Sequence, residues 1–469
     1  MLLGKDRNIL EKIFNITANC NSKVHYMVNI TEKLIEIKKM IDAGQYFTIN
    51  RARQYGKTTT LQNLENFLAN DYVVVSLDFQ RLGYASFETE QMFVEAFASE
   101  LLVCVDDLPE KIEIKLETFT IENLQRCTFQ KLFQVLNKWC KISEKPIVLM
   151  IDEVDSASNN QVFLDFLALL RGYYITRAKI PTFHSVILAG VYDIKNLKRK
   201  IRPEEEHKIN SPWNIATDFL VDMSFSKKEI TSMLQEYEKD YHTGMNMEEI
   251  VELLYDYTSG YPFLVSRLCK LMDEVVFGTK GFDTKEKSWT KCGFLEAVKL
   301  LVMEKNTLFE SLFQKLEIYP ELNEIIETVL FTGKSISYNI HNTIIEMATM
   351  FGFIKNRNGV VEIANRIFEI CLYNFYLSTS QLQNKAIYRA SLCDKNQFVT
   401  NGQLNMRLIL ERFVVHFNDL YGDRNETFLE EEGRKYFLLY LRPIINGVGN
   451  YYIEARIRDV NNPDLRLKS

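Results

Sequence analysis

Eight cysteines are scattered along the 469 residues, and no two of them form a C-x-x-C pair. That spacing suits neither a zinc site nor a disulfide framework, and it points to a reducing cytosol. No apolar run approaches the roughly 20 residues that a membrane helix needs, and the N-terminus lacks the apolar core of a secretion signal. The expectation is a cytoplasmic chain with no membrane partner. Positive charge is also in short supply. Lys and Arg number 56 against 62 Asp and Glu, so the formal net charge is −6 and the pI about 5.8. No global field therefore draws nucleic acid to the chain, and a DNA contact would need a local basic patch. Low-complexity tracts and internal repeats are missing as well. What is present is a 46% apolar composition, ample for several cores. The length suits about three domains.

One stretch carries most of the chemistry. Tyr46-Phe47-Thr48-Ile49 reads as a short buried strand, Arg53-Gln54-Tyr55-Gly56 as a tight turn, and Lys57-Thr58-Thr59 as the start of a helix. Such a turn leaves several backbone N–H groups aimed at one spot, at the positive end of the helix dipole. A polyphosphate fits there, with Lys57 reaching its terminal phosphates and the Thr58 hydroxyl holding a magnesium ion. The usual pattern opens on a glycine, and here Arg51 occupies that position. Gly-Lys-Thr alone also describes a capped surface helix with an exposed lysine. The context favours the phosphate turn: Leu61, Leu64, Phe67 and Leu68 line one helix face, and a second strand, Tyr72 to Asp78, follows. That is the strand–loop–helix–strand setting the motif requires.

The second signal is Ile147-Val148-Leu149-Met150-Ile151-Asp152-Glu153, with Asp152 95 residues beyond Lys57. A continuous apolar run suits a central parallel strand buried on both faces. At its C-terminal end Asp152 would hold the magnesium, directly or through water, and Glu153 would polarise an attacking water as general base. Two solvated acids capping a buried strand would look the same in isolation. The order and spacing of both signals together point to NTP binding.

Residues 1–44 read as a lead-in with one amphipathic helix, Ile30 to Ile41. Residues 45–221 alternate strands and helices, including helices Thr128–Cys140 and Val162–Leu170 and a strand Ser185–Ala189, which calls for a parallel sheet covered on both faces. Within residues 222–300 the chain reads as helical from Ser226 to about Val276, opening at Ser226 with Glu229 three residues on, a capping box. Residues 301–378 are mainly helical and close on a hairpin around Asn356–Gly359. In residues 379–469 helix is expected to about Tyr421, then strands at Tyr436–Tyr440 and Tyr451–Ala455.

The chain resembles the bacterial predicted AAA-ATPase family, AAA-like ATPases with a C-terminal PD-(D/E)xK nuclease-like domain. The likeness rests on His25-Tyr26-Met27-Val28, on Tyr46 to Thr60, on Ile151-Asp152-Glu153-Val154-Asp155, on Leu188 to Asp193, on Ser211 to Phe219 and on Gly260 to Ser266. It implies an α/β fold: a P-loop NTPase parallel sheet (45–221) with a helical lid (222–300), a winged-helix-like domain (301–378) and a partial α/β nuclease-like tail (379–469). A missing first glycine is common in that family. The resemblance implies ATP and Mg2+ as ligands, with Gln54, Tyr55, Gly56, Lys57, Thr58, Thr59 and Pro262 around the nucleotide, Thr58 and Asp152 at the metal, and Lys57 and Glu153 catalytic. Gly260-Tyr261-Pro262 is similar to the lid turn whose proline packs near adenine, although a proline in a helix's first turn is good local chemistry anywhere. Arg267, Tyr192 and Asp193 stand where related ATPases carry sensors, and Arg171 or Arg177 would be an arginine finger toward a protein partner or second copy. Each of these also reads as an ordinary surface or turn residue.

Charge elsewhere is less telling. Lys195, Lys198, Arg199, Lys200 and Arg202 are followed by Glu204-Glu205-Glu206, the mark of a solvated loop. Lys355, Arg357 and Arg366 would touch phosphates if the winged-helix-like part met DNA, but protein packing is the favoured reading. In the tail no Glu-x-Lys follows Asp464, so no nuclease activity is expected. The expected activity is ATP hydrolysis that drives or gates conformational change. The alternatives are a nucleotide-gated signalling or defence switch with little turnover, and a DNA-processing effector that would need a complete tail.

Overall fold

The computed structural model describes residues 11–121, 127–157, 160–191, 213–331, 335–378, 385–394, 398–400, 403–421 and 426–445. The chain divides into two compact units. One comprises Met1–Tyr255, Gly260–Lys270 and Met350–Gly352, and the other Asp256–Ser259, Leu271–Thr349 and Phe353–Ser469.

The first unit is built on four parallel strands in the order β1-β4-β3-β2: β1 (Tyr46–Asn50), β2 (Val73–Asp78), β3 (Ile147–Asp152) and β4 (Ser185–Gly190). Side chains of a strand alternate between faces, and here each face meets its own core. Ile147, Leu149 and Ile151 join the cluster built with α3 (Glu90–Cys104), α4 (Glu110–Ile121), α5 (Phe129–Ile142) and α6 (Gln161–Thr176). Val148 and Met150 join the opposite cluster, with α1 (Thr31–Asp42) and α2 (Lys57–Leu68). The apolar run at 147–151 is therefore buried from both sides, as a central parallel strand must be. Beyond β1 the segment after Trp213 adds a further pairing: Thr217 N donates to Tyr46 O at 2.8 Å, and Trp213 Nε1 donates to Thr48 Oγ1 at 2.9 Å.

Helices α7 (Lys227–Tyr241), α8 (Met247–Thr258) and α9 (Pro262–Lys270) follow. The capping box expected at Ser226 is present: its hydroxyl accepts from Glu229 N, and Glu229 Oε2 accepts from Ser226 N at 2.7 Å. Lys33 Nζ ties α1 to this cap, donating to Ser224 O at 2.7 Å and to Glu229 at 2.9 Å.

The second unit carries α10 (Lys291–Met303), α11 (Thr307–Ile318), α12 (Pro320–Phe331) and α13 (Thr343–Met350), then the antiparallel pair β5 (Ile354–Arg357) and β6 (Val360–Ile363). The expected hairpin is there. Asn358 and Gly359 both take positive φ (53° and 83°), the Asn-Gly turn that matches strand twist. The three cations of this region are engaged: Lys355 Nζ with Ser259 Oγ at 2.9 Å, Arg357 with Glu362 at 3.3 Å, and Arg366 with Asp256 at 3.0 Å. Next come α14 (Arg366–Leu377), α15 (Ala386–Asp394), α16 (Met406–Tyr421) and α17 (Glu426–Ile445).

The last helix corrects one expectation. Tyr436–Tyr440, read as strand, lies inside α17. The aromatic content suggested β, but the segment is rich in Glu, Leu, Lys and Arg, all strong helix formers, with no turn signal before Pro443. Tyr436, Leu439, Tyr440 and Ile444 are buried, and Lys435 pairs with Glu327 of α12 at 2.5 Å. Tertiary burial overrides local β preference here. The strand expected at Tyr451–Ala455 lies outside the described residues. Among the described residues no helix is long and apolar enough to cross a membrane.

Two glycines of the first unit separate steric need from backbone need. A Cβ at Gly260 (φ +73°) would sit 2.0 Å from Phe225 O, whereas one at Gly244 (φ +66°) would meet nothing within 4 Å. Gly260→Ala is expected to cost on the order of 3 kcal/mol or more, and Gly244→Ala only about 1 kcal/mol. Chemical denaturation of both variants checks this, and equal losses would contradict the packing of that turn on Phe225.

Candidate functional site

Helices α3, α5 and α7 are closed at their N-termini by the side chains of Thr89, Thr128 and Ser226. Helix α2 is not. Its N-cap is Gly56, no side chain caps it, and its first turn has no acidic residue. Gln54 and Gly56 take left-handed backbone (φ 56° and 77°), which bends the chain sharply from β1 into the helix. The first-turn amides and the positive end of the dipole are thus left for an anion.

Lys57 is 7% exposed, and its ammonium turns back into its own loop, donating to Arg51 O at 3.0 Å and Ala52 O at 3.1 Å. Burial lowers its pKa, while Glu153, Asp155 and Asp152 oppose that by favouring the charged form. Thr58 Oγ1 donates to Asp152 Oδ2 at 2.6 Å, joining the start of α2 to the C-terminal end of β3. Glu153 follows in a left-handed conformation (φ 51°), its N–H donating to Asp152 Oδ1 at 2.8 Å. Both carboxylates hold protons more readily than usual. For Asp152 burial dominates, opposed by the bond from Thr58. For Glu153 burial again leads, reinforced by the charge of Asp152. Asp78, in register with Asp152 on β2, adds to the crowding of negative charge.

The arrangement therefore brings Gln54, Tyr55, Gly56, Lys57, Thr58, Asp152 and Glu153 to one edge of the sheet. Thr59 sits there too, its hydroxyl accepting from Cys20 N at 3.4 Å. Pro262 opens α9 and is buried. It is Tyr261, one residue earlier, whose hydroxyl donates to Arg53 O. Sequence reasoning singled out the proline and passed over the tyrosine. A polar tip on a large apolar ring beside a tight turn was the available signal. Arg51 shows why a glycine is dispensable at its position. The guanidinium leaves the cradle, donates to Asn50 O at 2.8 Å and Val221 O at 3.0 Å, and lies over Phe219 at 5.3 Å. Arg177 donates to Gly44 O at 2.5 Å, before β1 and so at the end of the sheet away from Lys57. A cleft of about 500 Å³ lies at that far end, lined by Gly44, Arg177 and His184, and is separate from the cradle. Tyr192, Asp193 and the basic cluster Lys195–Arg202 fall outside the described residues.

Thr58 and Asp152 form a pair of hard oxygen donors. Among the described residues no group of three or more His, Cys, Asp or Glu side chains is placed to hold a metal. The set fits magnesium, which takes one or two protein oxygens and completes its shell with water and phosphate.

The chain belongs to the AAA-like domain family, whose model matches residues 15–378. It is similar to the Walker-type ATPase PABY2304 of Pyrococcus abyssi, at 14% identity and TM-score 0.50, covering 76% of this chain and 99% of that one. A weaker likeness, TM-score 0.37 at 14% identity, links 72% of this chain to 92% of the RuvB Holliday junction branch migration motor of Thermotoga maritima. An uncharacterized WD repeat-containing protein of Synechocystis sp. is 25% identical over 247 residues, 51% of this chain, and the match spans 19% of that relative's length. The fold is thus the α/β parallel sheet of P-loop ATPases, and the family is AAA-like.

The raised carboxylate pKa has a measurable sign. A folded-state pKa above the unfolded value means the folded chain keeps its proton longer. That contribution is fully present below about pH 4 and is lost as pH rises through the shifted value. Without nucleotide or metal, Asp152→Asn should therefore raise the melting temperature at pH 7 and flatten its decline from pH 4 to pH 7. A variant less stable at pH 7 by as much as at pH 4 would show that Asp152 is not held under strain.

Proposed function

We propose that this chain binds Mg-ATP at residues 54–59 and hydrolyses it. The observation that carries the reading is the 2.6 Å bond from Thr58 to Asp152, which sets a hydroxyl and a carboxylate side by side next to the uncapped N-terminus of α2. The amides of Gly56 to Thr59 would take the phosphates. Lys57 exchanges two carbonyl partners for phosphate oxygens, a trade of charge-assisted hydrogen bonds that favours the more anionic acceptor. Thr58 and Asp152 would hold the magnesium, which when bound neutralises charge developing on the transferred phosphoryl group. Glu153 is the general base. Its desolvated carboxylate accepts a proton more readily than a solvated one, which suits that task near neutral pH. Pro262, at the first turn of α9, would pack near the adenine. The hairpin at 354–363, after a run of helices, supports a winged-helix module, and hydrolysis would gate its movement.

A second reading, a switch that binds nucleotide and scarcely turns it over, differs in the role of Glu153. Its left-handed backbone is a strained conformation of the kind that gathers at functional and switch positions. Steady-state phosphate release decides between them. Lys57→Ala should weaken Mg-ATP binding at least tenfold. Glu153→Gln should leave binding intact and reduce turnover by about 10²-fold or more. Turnover unchanged in Glu153→Gln would favour the switch, and a parent protein with no affinity for adenine nucleotides would end both readings.

A further inference from the structure

A glycine ordinarily opens the phosphate turn, and its absence here raises the question of what shapes the loop. The residues between Arg51 and Gly56 are gripped from outside. Tyr261 is 3% exposed and donates its hydroxyl to Arg53 O, 208 residues away in sequence. Its ring meets that of Tyr55 edge to face, centroids 4.6 Å apart at 71°. Gly352, in the short Met350–Gly352 piece of the first unit, has φ +80° and packs against Ala52. A Cβ on Gly352 would lie 2.9 Å from Ala52 Cβ and 4.0 Å from Tyr261 Cε2. Ala52, Arg53 and Tyr55 are each touched by one of these two residues. Tyr261 is itself fixed, since Gly260 O accepts from Phe225 N at 2.7 Å and leaves no room for a side chain at 260.

In the structure Lys57 holds the carbonyls of Arg51 and Ala52. A polyphosphate draws the ammonium away, and those two carbonyls lose their partner. The grip on Arg53 and Ala52 does not depend on Lys57. We propose that Tyr261 and Gly352 are positioning residues that brace the phosphate loop from outside, so that it keeps its shape when Lys57 turns to the ligand. The inference rests on the nucleotide reading above and adds to it which distant residues set the affinity.

The experiment measures Mg-ATP binding by calorimetry and hydrogen exchange of peptides spanning residues 50–60, on the full chain. Tyr261→Phe removes one oxygen atom. It should weaken binding by about five- to tenfold while the ligand-free melting temperature stays within about 2 °C. Gly352→Ala should weaken binding further. Adding Ala52→Gly, which removes the facing Cβ, should restore the part of that loss that comes from the Ala52 contact while the strain of alanine at φ +80° remains, a partial rescue that a general folding defect would not show. In both single variants the loop amides should exchange faster than in the parent without nucleotide. The inference is overturned if the parent binds Mg-ATP, both variants bind it equally well and the loop exchanges at the parental rate. If the parent binds no nucleotide, the proposed function falls, while the ligand-free exchange rates still decide the brace. Should Gly352→Ala fail to fold, Tyr261→Phe decides, since it adds no atoms to the core.

Discussion

The short bond between Thr58 and Asp152 is the constraint on which the site depends. It spans the gap between the first turn of α2 and the end of β3, two places 94 residues apart in the chain. Parallel pairing makes the meeting possible. β3 lies in register with β4, and β4 with β1, so the C-terminal ends of β1 and β3 emerge at the same edge of the sheet. At that edge the uncapped N-terminus of α2 faces a desolvated carboxylate.

Around this bond the cradle is closed on itself. Lys57 bonds its own loop, Thr58 bonds Asp152, and Asp152 and Glu153 share a poorly solvated corner under mutual repulsion. Each contact satisfies a group that burial would otherwise leave unpaired, at a cost that a metal ion and an anion can relieve. On the proposed reading, such a site would hold its donors close to where a ligand needs them.

Much of this was legible in the chain. The double signal at Gly56–Thr59 and Asp152-Glu153, the unbroken apolar β3, the Ser226 capping box and the Asn358–Gly359 hairpin all follow from local chemistry and spacing. The misses have physical causes. Tyr436–Tyr440 looked β-like because aromatic residues favour pleated surfaces, yet burial on nearly every side and helix-forming neighbours made it helix. Pro262 drew notice because proline constrains its own backbone. Tyr261 and Gly352 did not, because a contact made across 208 residues or more leaves no trace in local spacing.

By itself the sequence determined the elements and the chemistry at their ends. Alternation and apolar length marked the strands, and Gly-Lys-Thr and Asp-Glu marked the candidate functional ends, since these depend on neighbours a few residues apart. Tertiary structure alone decided which ends meet, how Arg51 stands in for a glycine by bonding Val221 O, and which distant residues grip the loop. Those outcomes depend on strand order and on packing at distances of 3 to 5 Å between segments far apart in the chain, and no pattern of nearby residues encodes them.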